Sequence, residues 1–137
     1  MQVDIQTAHV SKKRLWAGRI ISALPALFLL ADSMGKFVQP AAVVEGTVRL
    51  GYSASIILPL GILLFACTVL YLIPRTSVLG AILLTGYLGG AVATHARIGD
   101  PVFSHILFPV YLGVMVWGGL FLRDARLPAL IPLRKGE

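Results

Sequence analysis

Six polar side chains interrupt an otherwise apolar chain at positions where they can do chemistry. They are Asp32, Lys36, Thr94, His95, Arg97 and His105. A carboxylate and an imidazole at one depth can pass a proton between them, and a guanidinium can hold a carboxylate through two hydrogen bonds. This combination predicts a polar pocket for a small molecule, close to one face of a membrane.

The carboxylate of Asp32 has two candidate partners. Lys36 follows at the four-residue spacing that brings two side chains together on any helix. Arg97 would have to reach across the fold, and we expect it to join the pair because a guanidinium keeps its charge in a poorly hydrated site. The sequence leaves both pairings open.

The histidines have more than one interpretation. His95 and His105 are ten residues apart, a spacing that matches no zinc pattern, so no metal site is predicted. Hydrogen bonding at the membrane interface is the first interpretation. The second is proton exchange with a quinone or a similar carrier, because imidazole titrates near physiological pH. Cys67 is the only cysteine, which excludes thiol exchange by this chain alone.

Membrane-spanning helices must position these residues. Hydrophobic residues make up 57% of the chain and charged residues 13%, with a mean hydropathy of +0.84, which is far from a soluble domain. Three windows without charge can each cross roughly 30 Å of hydrocarbon. They are Leu50–Pro74, Thr76–Ala96 and Pro101–Leu122. The apolar run before Gly35 adds a fourth span; a cleaved signal peptide is the alternative, but no small-x-small cleavage site follows Ala31.

The prediction is therefore an all-α fold, an integral membrane four-helix bundle that forms a single domain over residues 1–137. The predicted spans are residues 15–37, 52–73, 77–96 and 102–122. Between the first two spans, Val44 and Val48 share one helical face and Glu45 and Arg49 the other, which predicts a short helix in the membrane interface. The last three spans follow short turns and should be antiparallel neighbours.

Local signals predict how some helices begin and end. Thr76 or Ser77 is expected to cap the third span, and Asp100 followed by Pro101 to begin the fourth. Tyr71 is expected at the membrane interface, where aromatic side chains are enriched.

Small residues four apart occur twice on the third span. The pairs are Gly86 with Gly90 and Gly89 with Ala93. In lipid, such pairs let two helix backbones approach closely. Packing inside the bundle is the first interpretation, and self-association or docking of a partner subunit is the second.

The charges predict the orientation. The net charge is +6, yet the basic residues do not gather with aromatic stacking groups, so no nucleic acid partner is expected. With four spans, nine Lys and Arg residues fall on the side of the termini and three on the other. The positive-inside rule then predicts that both termini are cytoplasmic.

The most distinctive motif is PRTSVLGAILLTGYLGGAVATHAR, which runs from Pro74 to Arg97. Together with LWAGRIISALPALFLLADSMGKF and WGGLFLRDARLPALIPLR, it closely resembles the DoxX-like family of small bacterial membrane proteins. The likeness extends over 15–134 and implies a four-helix membrane bundle. The broader DoxX group takes its name from a subunit associated with quinone-linked sulfur oxidation in membranes. The resemblance implies no catalytic residues, and the single cysteine gives no support for sulfur chemistry.

These observations leave three hypotheses for the function of a multi-pass protein of the bacterial cytoplasmic (inner) membrane. The first is an accessory subunit of a quinone-linked membrane oxidoreductase, whose partners would be the lipid bilayer and either a redox protein or further copies of this chain. The second is a protein that binds or carries a small, lipid-like molecule. The third is an intramembrane isomerase that uses Asp32 with His95. No cofactor motif is present, and a quinone is the cofactor that this polar cluster would suit.

Overall fold

The chain is helical throughout the part that the structure describes. That structure is a computed structural model of residues 10–130; predictions on residues 1–9 and 131–137, including the charges of Arg134 and Lys135, lie outside it. In chain order the elements are α1 (Lys12–Val38), α2 (Ala41–Arg49), a 3₁₀ turn (Ala54–Ile56), α3 (Ile57–Leu72), α4 (Ser77–Arg97), a π-helical turn (Val102–Ile106), α5 (Phe108–Arg123) and α6 (Leu127–Leu130). The all-α prediction is confirmed.

Four helical segments are long and apolar enough to cross a membrane. They are Lys12–Val38, Ala54–Leu72, Ser77–Arg97 and Val102–Arg123. Each predicted span agrees with one of them to within three residues at either end. The short helix predicted between the first two spans is α2.

The four long segments form a bundle in which each contacts two others. α1 packs against α3 and α5, and α4 packs against the same two helices. The antiparallel neighbours α3, α4 and α5 therefore follow one another as predicted. Because α1 and α4 stand on the diagonal, the space between them depends on the side chains that they direct inward.

α1 has defined signals at both ends. At its start, the Ser11 hydroxyl accepts a hydrogen bond from the Arg14 N–H, with N···O 3.3 Å. At its end, Gln39 adopts a left-handed conformation with φ 55° and donates its N–H to the Gly35 carbonyl. Pro40 follows and cannot continue the helix. The chain thus turns sharply into α2.

The hydroxyls of the α3–α4 turn do not cap α4 as predicted. Thr76 Oγ1 donates to the Leu70 carbonyl at 2.7 Å, and Ser77 Oγ donates to the Tyr71 carbonyl at 2.8 Å. The last carbonyls of a helix have no partner within that helix. In this tight turn the hydroxyls satisfy the end of α3 rather than the start of α4.

The fourth segment also begins differently from the prediction. Pro101 precedes a wide turn in which the Ile106 N–H donates to the Pro101 carbonyl at 3.2 Å and the Leu107 N–H donates to the Val102 carbonyl at 2.9 Å. These bonds link residues five apart, which defines a π-helix. Asp100 does not cap this turn, because its carboxylate is held by side chains of other elements.

The helices approach most closely at the end of the bundle that holds the start of α1 and the end of α5. A Cβ atom added to Gly18 would lie 2.8 Å from the Arg123 nitrogen, and one added to Gly119 or Gly80 would overlap the facing helix. Glycine therefore permits backbone contact between α1 and α5 and between α3 and α4. We call this region the closed end.

Tyr71 fills the core of the closed end, where the sequence predicted an interfacial side chain. It is fully buried. Its hydroxyl donates to the Val116 carbonyl at 2.7 Å and lies 3.0 Å from Ser22 Oγ. The interfacial prediction is wrong because these two polar partners, on α5 and α1, allow the phenol to be buried with its hydroxyl satisfied.

Candidate functional site

A cavity of about 470 Å³ occupies the other end of the bundle, which we call the open end. Its walls come from α1, α3, α4 and α5, and α2 with the loop after it contributes at the rim. The apolar wall comprises Phe28, Leu29, Leu60, Leu88, Phe108, Pro109 and Leu112. The polar wall comprises Asp32, Lys36, Thr47, Tyr52, Tyr87, Thr94 and His95. A mainly apolar cavity with a few polar groups is typical of a small-molecule site.

Glycines on α4 leave room for this cavity. Gly86 and Gly90 both line it, and a Cβ added to either would meet no atom within 4 Å. Gly89 also faces open space and Ala93 is exposed. The glycine pairs predicted for close packing therefore make no such contact within this chain. Contact with a second copy or a partner subunit stays a prediction.

Asp32 and Lys36 form an ion pair at the cavity wall. Lys36 Nζ lies 2.6 Å from Asp32 Oδ2, and the side chains of Lys36 and Asp32 are 15% and 39% exposed, in that order. Gly61 on α3 fixes the lysine, since a Cβ there would lie 2.8 Å from Lys36 Cβ. Helical spacing alone brings these two groups together, as one of the two predicted pairings requires.

Arg97 does not join that pair. Its Nη2 donates to the Leu50 carbonyl, in the loop after α2. Gly51 has φ 92° and carries no Cβ, which would otherwise meet the guanidinium. Arg97 sits in the last turn of α4, and α4 is diagonal to α1, so the loop carbonyl is the closer acceptor.

The hydroxyls on the polar wall differ in their hydrogen bonding. Thr94 Oγ1 donates to the Gly90 carbonyl at 2.8 Å, so Tyr52 supplies the proton for the 2.9 Å contact between its hydroxyl and Thr94 Oγ1. Both protons are committed. The Tyr87 hydroxyl has no hydrogen-bond partner among residues 10–130 and is therefore available to a ligand.

A chain of ionic contacts joins the cavity to the α4–α5 turn. His95 Nδ1 lies 2.6 Å from Asp100 Oδ2, and Arg49 of α2 donates to both Asp100 oxygens at 3.2 and 3.3 Å. The hydrogen bond with His95, followed by that with Arg49, holds the pKa of Asp100 below its usual range. This chain fixes the His95 ring and ties α2 across the open end.

His105 lies beside this chain without reaching the cavity wall. Its ring packs edge-on to that of His95, with centroids 5.8 Å apart. Its Nδ1 lies 2.8 Å from Ser104 Oγ on the exposed π-helical turn. Within residues 10–130, no group of three or more His, Cys, Asp or Glu side chains is placed to hold a metal ion.

Of the six predicted site residues, four line the cavity: Asp32, Lys36, Thr94 and His95. Sequence reasoning missed Tyr52, Tyr87, Arg49 and Asp100 as members of the site. Tyr87 had a usable signal, because it precedes Thr94 by seven residues and shares its helical face. Arg49 and Asp100 had none, since their pairing depends on how α2 folds back over the bundle.

The comparisons with known proteins identify one family. The model of the DoxX-like family matches residues 20–119, which is 100 of the 137 residues. The matched range includes the cavity and most of the closed end. No curated protein and no solved structure matches the chain.

Proposed function

Because the chain belongs to the DoxX-like family and is a multi-pass membrane protein, we propose that it binds a small amphipathic molecule in the cavity of the open end. The observation that carries this proposal is a space of about 470 Å³ with an apolar wall on one side and the Asp32–Lys36 pair on the other. The apolar part of the ligand lies along Leu88 and Leu112. Its polar head meets the ion pair.

The charges favour a head group without net charge. Asp32 and Lys36 neutralise each other, and the carboxylate of Asp100 already has His95 and Arg49 as partners. An anionic or cationic head would have to displace one of these partners. Lys36 keeps N–H donors, Asp32 keeps lone pairs, and the Tyr87 hydroxyl can donate. Carbonyl and hydroxyl groups, as in a quinone or quinol, fit this set of donors and acceptors.

Filling the cavity tests the proposal. Gly90→Leu puts a side chain into the cavity, whereas Gly89→Leu adds the same side chain and the same helix propensity away from it. We expect native mass spectrometry of membrane-extracted protein to detect a retained small molecule in the wild type and in Gly89→Leu. We expect it to be absent from Gly90→Leu. Equal retention by both variants would contradict a ligand in the cavity.

A second candidate is an accessory subunit of a quinone-linked membrane oxidoreductase. The exposed face of Gly86, Gly89 and Ala93 favours it, because a partner helix could pack there closely. Extraction in a mild detergent followed by affinity purification tests this function. A redox protein recovered with the wild type but not with Gly89→Leu would support it, and recovery of this chain alone would count against it.

The charge distribution supports a cytoplasmic location for both termini, in a cytoplasmic (inner) membrane. Single cysteines in a Cys67→Ala background test the orientation. Arg75→Cys lies in the α3–α4 turn and Ser53→Cys in the loop before α3, at opposite ends of the bundle. We expect a membrane-impermeant maleimide to label Ser53→Cys in intact cells and Arg75→Cys only after lysis. The reverse pattern would invert the topology.

A further inference from the structure

Two arginines meet α5 at the closed end without a carboxylate partner. Arg14 of α1 donates from Nη2 to the Phe121 carbonyl at 3.2 Å, and Arg123 donates from Nη2 to the Tyr71 carbonyl at 3.2 Å. Among residues 10–130, neither guanidinium forms an ion pair with an acidic side chain. Each keeps a full positive charge within the bundle.

Packing holds both guanidinium groups in place. Arg14 lies over the Phe121 ring with its Cζ 5.7 Å from the centroid, and Arg123 lies over Tyr71 at 4.9 Å. The Nε of each arginine is buried and has no hydrogen-bond partner among the described residues. An ionised group with a buried, unmet donor is costly, and a nearby anion would offset that cost.

The nearest acid along the chain is already engaged. Asp124 accepts hydrogen bonds from the Arg126 side chain at 3.1 and 3.2 Å. These bonds, more than the charge of Arg123, hold the pKa of Asp124 below its usual value. The pair formed by Arg14 and Arg123 therefore needs an anion from elsewhere.

The surroundings of the pair point to a lipid. Trp16 is 59% exposed on α1 and Arg19 lies over its ring at 5.3 Å, a combination typical of the membrane–water interface. Gly18 brings α1 against the backbone of Arg123, so Arg14 comes one helical turn from that contact. We propose that Arg14 and Arg123 bind the phosphate of an anionic phospholipid at the crossing of α1 and α5. This site is independent of the cavity at the open end.

Native mass spectrometry with added lipid tests the site. The probes are phosphatidylglycerol and phosphatidylcholine with the same acyl chains, added to the detergent-solubilised full chain. We expect the wild type to retain phosphatidylglycerol preferentially, and each of Arg14→Gln and Arg123→Gln to weaken that retention roughly fivefold. Arg75→Gln is the matched control, since it removes the same charge at the same end of the bundle and should leave retention unchanged.

A conservative variant and a free anion separate lipid binding from a loss of folding and from simple attraction of phosphate. Arg14→Lys keeps the charge and should retain more phosphatidylglycerol than Arg14→Gln, even if loss of the contact with Phe121 weakens the fold of both variants. Inorganic phosphate at the same concentration should not displace the lipid, because it has no acyl chains to bind alongside Trp16. Equal retention of both lipids by the wild type, equal losses in Arg75→Gln and Arg14→Gln, or displacement by inorganic phosphate would each overturn the proposal.

Discussion

Glycine meets opposite surroundings at the two ends of the bundle. At the closed end, Gly18 and Gly119 face each other's helix backbone, and a side chain on either would collide with it. At the open end, Gly86 and Gly90 face empty volume. The difference lies in the partner helix: α1 and α5 are neighbours with a glycine on each, whereas α4 directs its glycines toward a space bounded by its diagonal, α1. A glycine motif thus predicts contact only when a neighbouring helix is equally bare.

Hydrogen bonding differs between the ends in the same way. The buried Tyr71 hydroxyl at the closed end meets groups on α1 and α5. The Tyr87 hydroxyl at the open end has no partner among the described residues. The closed end is complete without a ligand, whereas the open end offers donors and acceptors to one.

The largest expected difference comes from adding one methyl group at each end. Gly80→Ala forces a Cβ into the Tyr71 backbone, so we expect a loss of about 2 kcal/mol or more of unfolding free energy. Gly90→Ala meets no atom and should gain up to about 1 kcal/mol from helix propensity. Thermal unfolding in detergent measures both. Equal destabilisation of the two variants would erase the distinction between the ends.

Removing one hydroxyl from each end should give a smaller difference. Tyr71→Phe leaves the Val116 carbonyl and Ser22 without their partner, at a cost of about 1–3 kcal/mol. Tyr87→Phe breaks no bond within residues 10–130, so its unfolding midpoint should stay near that of the wild type while ligand retention falls. If Tyr87→Phe were the more destabilising change, its hydroxyl would have a structural role instead.

The smallest expected effect is a pH dependence confined to the open end. Hydrogen bonds from His95 and Arg49 keep the pKa of Asp100 below its ordinary value of 3.8. Asp100 therefore contributes stability above that value and loses the contribution as the pH falls through its lower, folded-state pKa. We expect the wild type to lose unfolding temperature between about pH 6 and about pH 3 more steeply than Asp100→Asn. Parallel curves would show that Asp100 does not stabilise the fold.

Period and charge were enough to predict the spans, because lipid requires long apolar helices with few charges. They were also enough for the Asp32–Lys36 pair, which needs only one helix. They failed where two elements had to be placed relative to each other. Arg97 was expected on Asp32 but bonds to Leu50, and Asp100 was expected as a cap but binds His95 and Arg49.

The glycines and Tyr71 illustrate a second limit. A small-residue spacing records what a helix can accept, not which neighbour it meets. Gly18 and Gly119 are more than one hundred residues apart in the chain, so their contact depends on the packing of α1 beside α5. Tyr71 shows the same limit from the other direction, since its burial depends on acceptors supplied by two other helices.

The wide turn at Val102–Ile106 bears on how sequences of this kind should be aligned. A turn closed by bonds five residues apart holds one residue more than an α-helical turn, so it is equivalent to a single-residue insertion. Homologous chains that lack it should need a one-residue gap between Asp100 and Phe108. In those chains, the residue that takes the place of His105 would be rotated by about 100° relative to α5.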